Sequence, residues 1–87
     1  MPNYTLEIKA SAQKELDALD HGVFARIDRT VLALAGNPRP EGCKKLKSYN
    51  ALWRIRAGDW RVVYAIDDSA RRVTILRVAH RREVYEG

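Results

Sequence analysis

Three arginines, Arg54, Arg56 and Arg61, stand close together in the run LWRIRAGDWRVVY, residues 52–64. A guanidinium stays protonated at any ordinary pH and presents a planar fork that matches the oxygens of a phosphate. Several of them on one surface bind a polyanion and stabilise charge developing on phosphorus, but they make poor proton acceptors. The chain around them is what would group them. Two apolar runs, one with Trp53 and Ile55 and one with Trp60, Val62 and Tyr64, are joined across Ala57-Gly58-Asp59, a hairpin signal. Side chains alternate faces along a strand, so Trp53 and Ile55 share one side and Arg54 and Arg56 the other. Arg61 likewise points away from Trp60, Val62, Tyr64 and Ile66. With the apolar side on a core, three guanidiniums project from the opposite side.

The other residue types that carry chemistry are sparse. Two distant histidines, His21 and His80, and the one cysteine, Cys43, do not make a metal site, and there is no glycine loop of the phosphate-binding kind. No metal and no cofactor are expected. His80 is the one side chain near the arginines whose ordinary pKa lies near neutrality. A single cysteine forms no internal disulfide, no apolar run approaches the ~18 residues of a membrane span, and the N-terminus lacks a signal-peptide pattern; together these favour a reducing cytoplasm.

Charge is unevenly placed. The 87 residues carry a net +5. Residues 1–43 hold five basic groups against six acidic ones, whereas residues 44–87 hold eleven against five. The positive field therefore belongs to the half with the hairpin, a pointer to nucleic acid or another polyanion. A composition of 46% hydrophobic and 31% charged residues is that of an ordinary globular domain.

The elements that would position the arginines read off in order. Tyr4 to Lys9 alternates Tyr4, Leu6 and Ile8 against polar residues, a strand with one buried face. Ser11 is placed to cap a helix over 12–19 with Ala12, Leu16 and Leu19 on one stripe. Asp20-His21-Gly22 breaks it, and 23–35 sets Phe24, Ile27, Val31 and Leu34 at helical spacing until Gly36-Asn37-Pro38 ends the run. So short a link makes the helices an antiparallel αα-hairpin. Pro38 to Gly42 is a connector, Lys44-Lys45-Leu46-Lys47 a basic stretch and Ser48-Tyr49-Asn50 a turn. After the arginine hairpin, Asp67 to Ala70 turns the chain into a β-branched strand, 72–79, and a short tail. The expected fold is one α+β domain over 1–87, β-α-α-β-β-β, a mostly antiparallel four-stranded sheet with the αα-hairpin on one face and the other face open.

The ordered set KKLKSYNALWRIRAGDWRVVYAIDD and VTILRVAHRREVY resembles the RelE branch of the RelE/ParE toxin superfamily, over nearly the whole chain. That resemblance implies a RelE-like fold and the toxin of a type II toxin–antitoxin system. It implies a ribosome-dependent endoribonuclease that cuts mRNA in the A site by attack of a ribose 2′-hydroxyl, leaving a 2′,3′-cyclic phosphate. Carried over position by position, it implies catalytic roles for Arg54, Arg56, Arg61, Arg81 and Tyr85, with Lys45 and Lys47 in a basic stretch that holds RNA. His80 joins them as an RNA-contacting residue, with Tyr85 or His80 moving protons. The implied partners are a cognate antitoxin protein, the ribosome and mRNA, with operator DNA only through the antitoxin complex and no membrane. Arginine stands at 54 and 56 where other members can have lysine, Trp60 stands where tyrosine is usual, and the chain stops at Gly87 without a longer C-terminal helix. Two rivals follow from the same fold: a ParE-like inhibitor of DNA gyrase, and a non-catalytic degenerate toxin acting only with its antitoxin at an operator.

Overall fold

The computed structural model describes residues 3–46 and 52–80. In chain order they form β1 (Thr5–Ile8), α1 (Ala10–Asp17), α2 (His21–Ala33), β2 (Lys44–Lys45), β3 (Leu52–Ala57), β4 (Trp60–Asp67) and β5 (Arg72–His80). The sheet order is β1-β5-β4-β3-β2. Only β1 runs parallel to its neighbour; the other three pairings are antiparallel.

The class and the helix pair agree with the sequence, and the strand count differs by one. The fifth strand, β2, is two residues of the basic stretch that pair with Arg54 and Trp53 on the outer edge of β3. A lysine pair carries no strand periodicity. It becomes a strand because β3 offers it unpaired backbone groups.

α1 begins earlier than its apolar stripe, with Lys9 in extended conformation at the N-cap and Ser11 inside the first turn rather than capping it. α2 is capped by Asp20, whose carboxylate accepts the Val23 N–H at 3.0 Å. α1 lies on β5, and α2 on β3 and β4. Between layers sit Ala12, Leu16, Ile27, Val31 and Leu34 from the helical side and Ile55, Val62, Tyr64, Ile66, Val73, Ile75 and Val78 from the sheet. Burying one such aliphatic side chain stabilises the fold by about 1.5–3 kcal/mol. At the sheet's edge β1 contributes less than a fully buried face, for Leu6 is half-buried and Ile8 exposed.

The β3–β4 turn is the pair Gly58-Asp59, and Gly58 has φ +65, the conformation a type II′ hairpin requires at that place. On the far side of β4 the register slips: Val63 faces Arg77 and Tyr64 faces Ile75, which leaves Leu76 as a bulged extra residue in β5.

Past Ile75, β1 has ended and β5 is an edge. Glu15 of α1 covers it there, accepting the Val78 N–H at 2.8 Å and the Arg77 guanidinium at 3.3 Å. Removing that acceptor leaves a partly buried donor without a partner, a cost of about 1–3 kcal/mol. Glu15→Ala is expected to lower Tm by roughly 4–24 °C at about 4–8 °C per kcal/mol for a domain of this size. Glu15→Gln, which keeps an acceptor oxygen, loses less. Equal melting of the two variants in a calorimeter would mean that the carboxylate does not hold the edge.

The connector after α2 is tied down at two points. The Tyr64 hydroxyl donates to the Pro38 carbonyl at 2.7 Å, and burial pushes its pKa well up. Arg39 reaches Asp68 with two nitrogens, at 2.9 and 3.3 Å, and lies 5.2 Å from the Trp53 ring. Tyr4 donates to the same carboxylate at 2.6 Å. The hydrogen bonds from Arg39 and then from Tyr4 hold the Asp68 carboxyl below its usual range, and the bond to Asp68 raises Tyr4.

The signs set a window for this cluster. A depressed carboxyl contributes stability above its unfolded pKa and loses it as pH falls through the folded one. A raised phenol contributes below its unfolded pKa and loses it as pH rises through the folded one. The Tm difference between the natural chain and Asp68→Asn is therefore expected to be greatest between about pH 5 and pH 9 and to shrink on both sides. A difference that stays flat from pH 2 to pH 11 would contradict it.

Candidate nucleic-acid interface

Cross-strand partners share a face of a sheet, so the register assigns each candidate residue to a side. Arg56 stands directly opposite Arg61, and Arg54 opposite Val63, whose other neighbour is Arg77. Ala79 completes the row of Arg56 and Arg61. The face away from the helices thus carries Arg54, Arg56 and Arg61 around Val63 and Ala79, while Arg77, beside the bulge, turns its guanidinium to Glu15 of α1. The three hairpin arginines are together, as the alternation implied.

They are not equally in water. Arg56 is exposed, but Arg54 is 3% exposed and Arg61 9%. The face is therefore not the open, solvated surface expected from the sequence. The long apolar stems of arginine lower the cost of such placement, since they can lie along valine and alanine while the charged heads point on. Like charges directly opposite each other in a sheet are destabilising, and a withdrawn guanidinium is less screened than a solvated one. An anion placed across Arg56 and Arg61 would gain from both guanidiniums.

Two candidates fall on the other side. Lys45 is paired with Trp53, which places it on the helix-bearing face; its neighbour Lys44 is paired with Arg54 and joins the arginines. Parity had no anchor in the basic stretch, because the register depends on how the chain turns between β2 and β3. His80 is paired with Trp60, and the two rings meet edge to face at 5.5 Å and 87°. That contact also puts it on the helix-bearing face. The bulge at Leu76 is the reason: unbroken alternation from Val73 and Ile75 would set position 80 among the arginines, and one extra residue reverses it. Trp53 and Trp60 belong to the core side, both half-buried. Lys47, Arg81 and Tyr85 lie outside the described residues.

Two residues that were not among the candidates belong near this face. Lys44 and Glu41 line a cavity of about 350 Å³ with Gly42, Arg54, Ile55 and Arg56. Among the described residues no helix is long and apolar enough to cross a membrane.

Residues 6–85 match the profile of the family described as ParE toxin of type II toxin–antitoxin system, parDE. A curated relative, Toxin RelE of Mycobacterium tuberculosis, is 36% identical over 83 residues, covering 94% of this chain and 86% of its own length. Two solved structures are alike over almost their whole length. The toxin–antitoxin complex RelBE2 of Mycobacterium tuberculosis has a chain at TM-score 0.78 and 29% identity, covering 92% of this chain and 99% of its own. The archaeal RelE–RelB complex from Pyrococcus horikoshii has one at TM-score 0.81 and 25% identity, covering 94% and 99%. The arginine-bearing hairpin, the two helices behind it and these likenesses along nearly the full chain agree: it belongs to the RelE/ParE superfamily, as a RelE-like toxin of type II toxin–antitoxin systems.

Proposed function

We propose that the chain is an mRNA interferase, a ribosome-dependent endoribonuclease that works without a metal. The observation that carries this reading is the cross-strand group of Arg54, Arg56 and Arg61 on one face, with Arg56 and Arg61 directly opposed. In the reaction the 2′-oxygen of one ribose bonds to the adjacent phosphorus and loses its proton, while the bond from phosphorus to the next 5′-oxygen breaks and that oxygen takes up a proton. The products are a 2′,3′-cyclic phosphate and a 5′-hydroxyl. Arg61 and Arg54 stabilise the charge on the five-coordinate phosphorus, where fixed donors withdrawn from water act most strongly. Arg56, standing in water, holds the incoming strand. Arg81 adds a further cation and Tyr85 moves the proton. His80, edge to face with Trp60, has a packing role instead.

Positioning by the ribosome supplies what the cations lack, since a substrate held in line is already part-way over the barrier. Weak cleavage of free RNA is therefore expected. The partner in the cell is a cognate antitoxin, as in the RelBE2 and RelE–RelB complexes, and operator DNA is reached only through that complex. Action at the ribosome places the protein in the cytoplasm.

A second reading, inhibition of DNA gyrase, is favoured by the ParE description of the matching family. Induced expression with mRNA 5′-ends mapped and gyrase-linked DNA breaks scored in parallel separates them. Cuts inside translated codons with 2′,3′-cyclic phosphate ends support the nuclease. DNA breaks without mRNA cuts would move the function to gyrase, and growth with neither would leave a binding protein.

A further inference from the structure

The cavity beside β2 has features that the three hairpin arginines do not explain. Arg54 is withdrawn from water, whereas Lys44 and Arg56, which line the cavity with it, are exposed. The remaining wall comes from a tight turn at residues 40–43. Cys43 donates its N–H to the Pro40 carbonyl at 3.1 Å, and Gly42 has φ +92, the type II arrangement that glycine takes without strain. That turn is itself anchored from behind by the bonds of Arg39 to Asp68 and of Tyr64 to Pro38. The geometry of the cavity is thus set by residues outside it, as a binding site requires.

At about 350 Å³ the cavity lies at the small end of the range for ligand sites. Three of its lining side chains are cationic and one, Glu41, is anionic. The two exposed cations at its rim, Lys44 and Arg56, outnumber the one acid, so the site selects an anion. Its continuity with Arg56, which is opposed to Arg61 one strand away, means that a strand crossing Arg61 passes it.

We propose that this cavity is a second phosphate subsite of the RNA face, taking a backbone phosphodiester that flanks the one held at Arg61. Lys44 and Arg56 donate to its oxygens from the rim, while Glu41 weakens the grip and speeds release. The proposal rests on the reading of this face as the RNA surface. It makes Lys44, not Lys45, the functional lysine of the basic stretch.

Two adjacent exposed lysines with equal charge and opposite faces provide the control. The probe is a single-stranded 2′-O-methyl oligoribonucleotide, which cannot be cleaved, titrated by fluorescence anisotropy over a range of KCl concentrations. Each phosphate contact on a single strand contributes about −0.7 to the slope of log K against log salt. Lys44→Ala is expected to weaken binding several-fold at low salt and to flatten that slope by about 0.7. Lys45→Ala leaves the slope in place, and Glu41→Gln tightens binding. Indistinguishable Lys44→Ala and Lys45→Ala, with Arg61→Ala still weakened, would overturn the subsite and keep the RNA face. Natural-chain affinity in all of these variants, Arg61→Ala included, would overturn both. Competition by inorganic phosphate that is unaffected by Lys44→Ala would also count against the subsite.

Discussion

Arg61→Ala is expected to lower single-turnover mRNA cleavage on programmed ribosomes by at least about a hundredfold, the usual cost of removing one donor aimed at developing charge. The reason is positional as well as electrostatic. Arg61 is 9% exposed and fixed in the middle of the sheet, directly across from Arg56 and beside Ala79. A side chain so held loses little freedom when the transition state forms, so its interaction with the five-coordinate phosphorus is not offset by ordering cost. Arg61→Lys keeps the charge but not the fork, and is expected to recover only part of the rate. Melting temperature is measured beside the rate, so that a loss of fold is separated from a loss of chemistry. An Arg61→Ala protein that melts as the natural chain does and still cuts mRNA at its rate would exclude Arg61 from the chemistry and leave the nuclease reading without its main support.

How far the sequence alone leads depends on what fixes parity. Within the hairpin, parity is fixed at both ends, by a tight turn at Gly58-Asp59 and by the aromatic and aliphatic residues that must face the core. The grouping of Arg54, Arg56 and Arg61 was therefore legible. So were the helix pair, its break at Asp20 and the side on which Trp53 and Trp60 pack. Where parity is set by long-range pairing, legibility ends. Lys44 and Lys45 are chemically equal, and only their register against Arg54 and Trp53 distinguishes them. His80 lies at the end of a strand whose alternation is broken at Leu76, and no local residue type marks that break. Exposure follows the same rule. The charge of Arg54 argues for solvent, and the structure withdraws it, because position in the sheet rather than side-chain type decides what surrounds it. The role of Glu15 at the edge of β5 is of this kind too: it serves a backbone N–H made available only because β1 is short.

Ile75→Ala is expected to produce the complementary result, a large loss of stability with the chemistry intact. Ile75 is fully buried, pairs with Tyr64 on one side and Ile8 on the other, and its carbonyl accepts the Lys9 N–H at 2.9 Å. It is the last regular residue before the bulge at Leu76, so α1, β1 and β4 all meet the sheet around it. Truncation leaves a cavity that close-packed neighbours on three elements cannot fill, at a cost of about 2–5 kcal/mol. A domain of this size is expected to lose at least about 10 °C in Tm for such a change. The guanidiniums stand on the other side of the sheet, and their register depends on the β3–β4 turn rather than on β5. Well below its melting temperature the variant should therefore cut mRNA at close to the natural rate. Ile75→Val, with one methylene fewer, should lose about 0.5–1.5 kcal/mol and serves as the graded control. If Ile75→Ala instead lost cleavage in step with Arg61→Ala while still folded, the two faces would be coupled. The bulge would then be part of what aims the arginines, rather than only the device that seats Val78 in the core.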